Sequence, residues 1–246
     1  MLELNRIYNM DCLEGMKLIP DESIDIIITS PPYNLGKKHH TGNNVFDAYI
    51  DYNDNLLEND YQEWQINVLN ECYRILKPDG SLWYNHKNRI KEGKQITPYE
   101  WILKTKFIVK QEVVWFNRSQ NFDKCRFYPM TERVYWLAKS SKTKMFNIIN
   151  HHDVFDTKDW KPEGTKGKFK RAFPVKMVED ILKCFPNSKI VLDPFMGSGT
   201  TAIACININR YYIGFELVKE YYELAKNRIN KHILDNNLQD KYSLIT

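Results

Sequence analysis

The chain has few cysteines and histidines and lacks any long apolar run. Its 246 residues include five cysteines and six histidines, and no two cysteines have CxxC spacing. An odd number of scattered cysteines argues against both a disulfide framework and a zinc site, so we expect no bound metal. No segment approaches the roughly eighteen uninterrupted apolar residues of a membrane span, and no signal-peptide core is visible. We therefore expect a cytoplasmic protein that makes no membrane contact.

The overall composition is that of an ordinary globular protein. Apolar residues form 43% of the chain and charged residues 27%, and the length allows one large α/β domain or two small ones. The net charge of +4 is mild. It permits a polyanionic partner without requiring one, so the distribution of charge matters more than its sum.

Strand-like and helix-like segments alternate along the chain. Strand-like runs occur at 4–10, 24–30, 81–87, 107–116, 132–139, 189–195 and 211–217. Helical periodicity occurs near 60–76, 174–185, 199–208 and 218–234. The sequence "KPDG", 77–80, predicts a turn after the first helix. Such alternation predicts an α/β fold with a mostly parallel sheet covered by helices on both faces.

Three polar connections are long for a compact α/β domain. They lie at 35–59, 117–131 and 140–172, and long irregular segments in such domains usually carry function. We therefore predict a single domain, 1–246, with these three segments as functional insertions.

The stretch "KIVLDPFMGSGTTAIACI", 189–206, is typical of a strand, a tight turn and a helix. Gly197 and Gly199 allow close approach of the backbone to a ligand, and a helix beginning at Thr200 favours polar or negative groups at its N-terminus. The spacing fits neither a dinucleotide fingerprint nor a phosphate-binding loop. Asp193 ends this strand and Glu216 ends the next, where an acid can bind a ribose hydroxyl. A nucleoside such as S-adenosylmethionine fits this pattern; the alternative is a purely structural turn.

A second turn, "SPPY" at 30–33, lies in the stretch "TSPPYN", 29–34, which follows the apolar run 24–28. Pro31 and Pro32 have fixed φ and no N–H donor, so the carbonyls around them point in fixed directions. Beside the Ser30 hydroxyl, a carbonyl makes a pair of acceptors for an N–H₂ group, and Tyr33 offers a flat face for stacking. The alternative is a proline-stiffened loop with a core tyrosine.

Together these motifs resemble the signature of S-adenosylmethionine-dependent DNA amino-methyltransferases, which is Asp/Ser/Asn-Pro-Pro-Tyr/Phe with Phe-x-Gly-x-Gly. Enzymes of this family, many from restriction-modification systems, methylate N6 of adenine or N4 of cytosine. Here the tetrapeptide precedes the glycine loop, as in the circularly permuted β group. The resemblance covers roughly 4–90 and 170–230. It implies a Rossmann-like class I methyltransferase fold with a seven-stranded type of sheet.

The resemblance also implies site residues and partners. Its cofactor is S-adenosylmethionine, with Asp11 near the adenine and the segment 172–182 at the methionine end. The implied cofactor-binding set is Asp11, Cys12, Phe173, Asp193, Pro194, Phe195, Gly197, Ser198, Gly199, Thr200, Thr201 and Glu216. The implied partners are double-stranded DNA and a possible cognate restriction endonuclease, with the chain as a monomer or homodimer.

The catalytic roles follow from the chemistry of an exocyclic amine, which must leave the duplex to react. Ser30 and the Pro31 carbonyl would accept its two hydrogens, while Tyr33 stacks on the base, and no metal is needed. In the family, Ser at the first position favours N4 of cytosine, whereas Asn34 after the tyrosine is frequent among adenine enzymes. We expect cytosine by a small margin.

The basic segment 158–171 is predicted to contact DNA phosphates through Lys166, Lys168, Lys170 and Arg171. The segment 117–129, with Arg118 and Arg126, could read base edges. Two other functions stay open: an RNA or protein methyltransferase with the same cofactor fold, and a nucleotide-binding module without enzymatic activity.

Overall fold

The structure, a computed structural model, describes residues 2–35, 39–41, 44–46, 54–118, 124–147, 152–156 and 172–245. Its main feature is an eight-stranded sheet of order β1-β12-β11-β2-β5-β9-β8-β10. The strands of this sheet are β1 (Arg6–Tyr8), β2 (Ile24–Thr29), β5 (Leu76–His86), β8 (Ile108–Phe116), β9 (Thr131–Ala138), β10 (Val154–Asp156), β11 (Ile190–Asp193) and β12 (Tyr211–Phe215). Two small hairpins stand apart from it, β3 (His39–Thr41) with β4 (Asn44–Phe46) and β6 (Arg89–Lys91) with β7 (Lys94–Ile96).

The sheet is mostly parallel, as expected. Strand β9 is antiparallel to both of its neighbours, β5 and β8, and the other strand pairs of this sheet are parallel. The amino end of β9 therefore lies at the same edge of the sheet as the carboxyl ends of β2, β5 and β11.

Helices cover both faces of the sheet. They are α1 (Cys12–Lys17), α2 (Glu58–Ile75), α3 (Tyr99–Ile102), α4 (Val175–Lys183), α5 (Thr200–Asn207) and α6 (Lys219–Asp235). One buried cluster joins α4, α5 and α6 to sheet residues such as Ile26 and Ile28. The other joins α1, α2 and α3 to Ile24 and Ile27. Successive strand residues point to opposite faces, so Ile26 and Ile28 supply one core and Ile27 the other. Ile24, beyond an irregularity in the strand register, also belongs to the second core.

The sequence predictions of secondary structure are confirmed for the main elements. All seven predicted strands belong to the large sheet, and the four predicted helices correspond to α2, α4, α5 and α6. The prediction missed the short elements α1, α3 and β10 and both hairpins.

The turn predicted at 77–80 is wrong. These residues lie within β5, which pairs with β2 at Leu76 and again from Ser81, with an irregular register between them. A salt bridge of 2.6 Å from Lys77 Nζ to Asp25 Oδ1 holds the irregular stretch against β2. The chain thus enters the sheet directly from α2, and the proline and glycine of this stretch fall in a bulge, where strands tolerate them.

Within the described residues, none of the helices combines the length and the apolar character that crossing a membrane requires.

Candidate active site

A pocket opens at the carboxyl edge of the parallel strands. It lies beyond the ends of β1, β2, β11 and β12, where open α/β sheets bind their ligands. The residues that line it are Met10, Asp11, Cys12, Ser30, Pro31, Pro32, Tyr33, Trp64, Ala172, Phe173, Pro194, Phe195, Met196, Gly197, Ser198, Thr200, Phe215, Glu216, Leu217, Val218 and Tyr221. The two turns singled out in the sequence, far apart along the chain, therefore form one cavity.

The glycine-rich turn has two residues in a backbone conformation that favours glycine. Gly197 has φ 53° and Gly199 has φ 81°, in the left-handed region, and Gly199 precedes the first residue of α5. A Cβ at Gly199 would also lie 3.2 Å from the Ile229 side chain. From behind, the Arg228 guanidinium donates to the Ser198 carbonyl at 3.0 Å and to the Thr200 hydroxyl at 3.1 Å. The turn is thus fixed by both its backbone and α6.

Two carboxylates face the pocket, each held by main-chain amides. Glu216 accepts from Gly197 N and Val218 N, both at 2.9 Å. Asp11 accepts from Leu13 N at 2.8 Å and Glu14 N at 3.2 Å, and so caps α1. Burial raises the pKa of Glu216 to about 7, although its two main-chain amide donors act in the opposite direction. These carboxylates are therefore oriented before any ligand arrives.

Three of the twelve predicted cofactor residues do not line the pocket. Asp193 lies buried behind it, where its carboxylate accepts hydrogen bonds from Thr29 Oγ1 at 2.7 Å and Thr201 Oγ1 at 2.6 Å. Phe195 N adds a third bond at 3.0 Å. Gly199 likewise lies outside the lining. Asp193 and Thr201 thus support the turn from beneath, while the other nine predicted residues face the cavity.

The predicted catalytic residues Ser30, Pro31, Pro32 and Tyr33 all line the pocket. Ser30 Oγ lies 2.8 Å from the Tyr33 hydroxyl, and Tyr33 in turn donates to Glu132 Oε2 at 2.8 Å. The Asn85 amide nitrogen lies 3.2 Å from Ser30 Oγ, 2.7 Å from Tyr33 Oη and 3.0 Å from Glu132 Oε2. The serine therefore belongs to a polar cluster built from three strands.

A second polar network supports the turn from the α2 side. The Tyr61 hydroxyl donates to the Pro32 carbonyl at 2.8 Å and lies 2.7 Å from His86 Nε2. Gln65 donates to the same hydroxyl at 2.8 Å, and the His86 ring packs against Tyr33 with centroids 4.6 Å apart. Burial lowers the pKa of His86 to about 3, which keeps the imidazole neutral. The Pro32 carbonyl thus already accepts a hydrogen bond within the protein.

Sequence reasoning missed the polar residues beneath the catalytic turn and the aromatic residue Trp64 in the pocket wall. Asn85 and Glu132 carried a usable signal, because each continues the apolar alternation of its strand with a polar side chain. Trp83 and Asn85 are two residues apart on β5, and Glu132 is two residues before Val134 on β9, while Trp83 and Val134 belong to one core. A polar residue at the end of such a series lies at the sheet edge, on the face of Ser30.

The predicted DNA-contacting residues fall into two groups. Lys166, Lys168, Lys170 and Arg171 lie outside the described residues. Arg118 forms a salt bridge of 2.7 Å with Asp156 of β10, and its guanidinium stacks on Phe116 at 4.5 Å. Arg126 donates to the Gly93 carbonyl at 3.0 Å. Beside Arg126, the Phe127 side chain is fully exposed, at 101% of its reference area.

The pocket fits a nucleoside better than a nucleotide. Its lining contains carboxylates and aromatic rings and, among the described residues, no lysine, arginine or histidine that could neutralise a phosphate. Carboxylates also suit a ligand with positive charge, such as a sulfonium. In the described ranges, no three His, Cys, Asp or Glu side chains come together in a group that could hold a metal ion.

Comparisons with known proteins identify the family of the chain. Residues 24–227 match the family described as DNA methylase. The chain is 32% identical to the type II methyltransferase M.HinfI of Haemophilus influenzae, over 93% of this chain and 69% of that protein.

Two solved structures are also similar. The structure of the cytosine-N4-specific PvuII DNA methyltransferase matches with a TM-score of 0.72 and 23% identity, covering 95% of this chain and 91% of that one. The M1.HpyAVI–SAM complex matches with a TM-score of 0.64 and 25% identity, covering 92% and 98%.

Proposed function

The chain belongs to the DNA methylase family, and we propose that it transfers a methyl group from S-adenosylmethionine to the N4 amine of a flipped-out cytosine at a specific DNA sequence. Membership makes it an S-adenosylmethionine-dependent DNA amino-methyltransferase of the restriction-modification type. The target base, the residues that act and the contacts with DNA are the proposal.

One observation carries the assignment of the site. The serine-proline-proline-tyrosine turn follows β2 and the glycine-rich turn follows β11, and these two strands are parallel neighbours. Their turns therefore emerge side by side and line the same pocket. A methyl donor on the glycine-rich turn would lie next to a base held at Ser30.

The cofactor, when bound, supplies a methyl group already activated on a sulfonium. Glu216 is placed to accept hydrogen bonds from a ribose, because its main-chain amide donors leave further lone pairs on each oxygen. Asp11 would approach the adenine, and Phe173 would border the methionine end. These residues would bind and orient; they would not react.

Ser30 and the Pro31 carbonyl would accept the hydrogens of the target amine. An exocyclic amine conjugated with its ring is a poor nucleophile, and two acceptors on its hydrogens favour the pyramidal form whose lone pair can attack. The Pro32 carbonyl is already bonded to Tyr61. That bond fixes the turn and leaves the acceptor role to its neighbour, Pro31.

Cytosine is preferred over adenine because of Ser30, whose hydroxyl replaces the carboxylate usual in adenine enzymes. Asn34 is the feature that favours adenine, but its side chain is used within the protein. Its carbonyl accepts from Leu56 N at 2.7 Å and its amide donates to Leu56 O at 3.0 Å. The Asn34 side chain therefore fixes the loop before α2. This structural role explains the asparagine without any contact to the target base.

The DNA would lie across the mouth of the pocket. The exposed segment 124–129, with Arg126 and Phe127, lies between β8 and β9, whose connection is at the edge of the sheet where the pocket opens. This position suits contact with a duplex. The basic segment 158–171 would add phosphate contacts. The competing functions, methylation of RNA or protein, would use the same pocket.

The test measures methyl transfer and identifies the product. Unmethylated bacterial genomic DNA, total RNA and total protein are incubated in parallel with S-adenosylmethionine carrying a tritiated methyl group. DNA alone should become labelled, and nucleoside digestion with mass spectrometry should give N4-methylcytosine. N6-methyladenine as the sole product would overturn the choice of base. Gly197→Val should abolish cofactor binding in calorimetry, because the valine would need φ 53° on the pocket floor.

A further inference from the structure

The cluster beneath Ser30 contains a carboxylate that the proposed chemistry has not yet used. Glu132 is half-buried at the start of β9. Its Oε2 accepts from the Tyr33 hydroxyl at 2.8 Å and from Asn85 at 3.0 Å, and its Oε1 accepts from Asn117 at 3.1 Å. A carboxylate held by three donors beside the catalytic turn is placed to receive a proton.

The direction of the hydrogen bonds follows from counting protons. The Tyr33 hydroxyl donates its single proton to Glu132 Oε2. The contact of 2.8 Å between Ser30 Oγ and Tyr33 Oη must then use the proton of Ser30. The chain of donors runs from Ser30 to Tyr33 to Glu132. One lone pair of Ser30 Oγ accepts from Asn85, and the other remains for the substrate.

We propose that Ser30, Tyr33 and Glu132 form a proton relay that removes the proton released when the target amine is methylated. This inference rests on the proposed function, because it needs an exocyclic amine at Ser30. Glu132 acts through Tyr33 and does not itself touch the substrate.

The relay balances atoms and charge. As the nitrogen–methyl bond forms, the nitrogen becomes cationic, and the electron pair of the broken sulfur–methyl bond stays on sulfur. An N–H bond then breaks, its electron pair stays on nitrogen, and the proton moves to Ser30 Oγ. The proton of Ser30 passes to Tyr33 and that of Tyr33 to Glu132 Oε2. Ser30 and Tyr33 finish neutral, and Glu132 holds the proton.

This arrangement compensates for a weakness of serine at this position. A hydroxyl accepts a proton poorly on its own, because it would become a cationic oxonium. A hydroxyl that passes on its own proton at the same time avoids that charge. Asn85 keeps the three oxygens together, since its amide nitrogen lies within 3.2 Å of each.

The test compares Glu132→Gln and Tyr33→Phe with the unaltered enzyme on unmethylated bacterial genomic DNA at saturating S-adenosylmethionine. Glutamine keeps the shape and a hydrogen-bond acceptor but takes no proton. Phenylalanine keeps the ring for stacking but breaks the relay. Both should lower kcat about 100-fold, while the KM for S-adenosylmethionine changes less than about threefold. The double variant should be no slower than either single one, because both remove the same relay.

Glu112→Gln is the matched control. Glu112 is a half-buried carboxylate on the neighbouring strand β8, paired with Arg133 at 2.8 Å, and is not among the residues bonded to Ser30 or Tyr33 in the described structure. It should retain the kcat of the unaltered enzyme. Wild-type kcat in Glu132→Gln, or effects that multiply in the double variant, would overturn the relay while the proposed function stands. No labelling of DNA by the unaltered enzyme would overturn both.

Discussion

The hydroxyl of Thr29, the last residue of β2, donates a hydrogen bond of 2.7 Å to the buried carboxylate of Asp193, the last residue of β11. This bond joins the strand that leads to the catalytic turn with the strand that leads to the glycine-rich turn. Thr201, at the start of α5, binds the other carboxylate oxygen at 2.6 Å. One acid therefore ties together both turns and the helix that follows.

We expect Thr29→Val to destabilise the protein more at pH 8 than at pH 5. Burial raises the pKa of Asp193 to about 6, from an ordinary value of 3.8. The stability that its protonation provides is full below 3.8 and is lost as the pH rises through 6. Removing the Thr29 donor raises this pKa further, so the cost should reach about 2 kcal/mol at pH 8.

Urea unfolding at both pH values measures the effect of Thr29→Val, with Thr105→Val as control. Thr105 Oγ1 donates to a main-chain carbonyl, Ile102 O, at 2.7 Å. Its loss should therefore cost the same at both pH values. An equal loss at pH 5 and pH 8 for Thr29→Val would show that the Asp193 carboxylate does not depend on this bond.

We expect the affinity for S-adenosylmethionine to fall as the pH is lowered from 8 to 6. Burial raises the pKa of Glu216 to about 7, from an ordinary value of 4.5, so its carboxylate gains a proton across this range. A protonated acid has fewer lone pairs for a ribose diol. Calorimetry should give a Kd that rises about tenfold, and Glu216→Gln should bind weakly with less pH dependence. The ligand's own titration is common to both proteins, so an identical pH dependence in both would contradict the role of Glu216.

We expect Tyr61→Phe to slow catalysis without weakening cofactor binding. The change leaves the buried groups Pro32 O, Gln65 and His86 without a shared partner, which should lower the free energy of unfolding by about 1–3 kcal/mol. A loosened turn should lower kcat, whereas the Kd for S-adenosylmethionine should stay unchanged. Tyr73→Phe, on the same helix, is the control, because the Tyr73 hydroxyl makes no hydrogen bond within the described residues. Equal kcat in the two variants would argue against a positioning role for Tyr61.

We expect Arg228→Lys to weaken S-adenosylmethionine binding about tenfold although Arg228 does not line the pocket. One guanidinium nitrogen, Nη1, donates to Ser198 O, Ser198 Oγ and Thr200 Oγ1. A lysine side chain is shorter than an arginine side chain, so its ammonium would not reach these oxygens together. The Tm should fall by only a few degrees. Calorimetry with Lys226→Arg as a control tests this, and unchanged affinity in Arg228→Lys would show that the turn holds its shape without the bridge.

Local motifs made the two turns predictable, because the prolines at 31 and 32 and the glycines at 197 and 199 impose their backbone geometry on their own neighbours. Glu132 and Asn85 were not predicted: the alternation of each strand indicates the face on which they lie, but their proximity to Ser30 also depends on how β5 and β9 pair. The same limit explains the turn wrongly predicted at 77–80. Proline and glycine mark a break in regular structure, but pairing with β2 and the Lys77–Asp25 salt bridge decide that the break is a bulge.

The antiparallel direction of β9 allows the loop before it to change while the catalytic residues stay in place. Because β8 and β9 run antiparallel, the connection 117–130 begins and ends at neighbouring points on the catalytic edge. Lengthening such a loop costs only about 0.6 kcal/mol per doubling, and the strands on either side need not shift. Sequence preference can therefore diverge by replacing one surface loop while the chemistry beneath it is inherited intact.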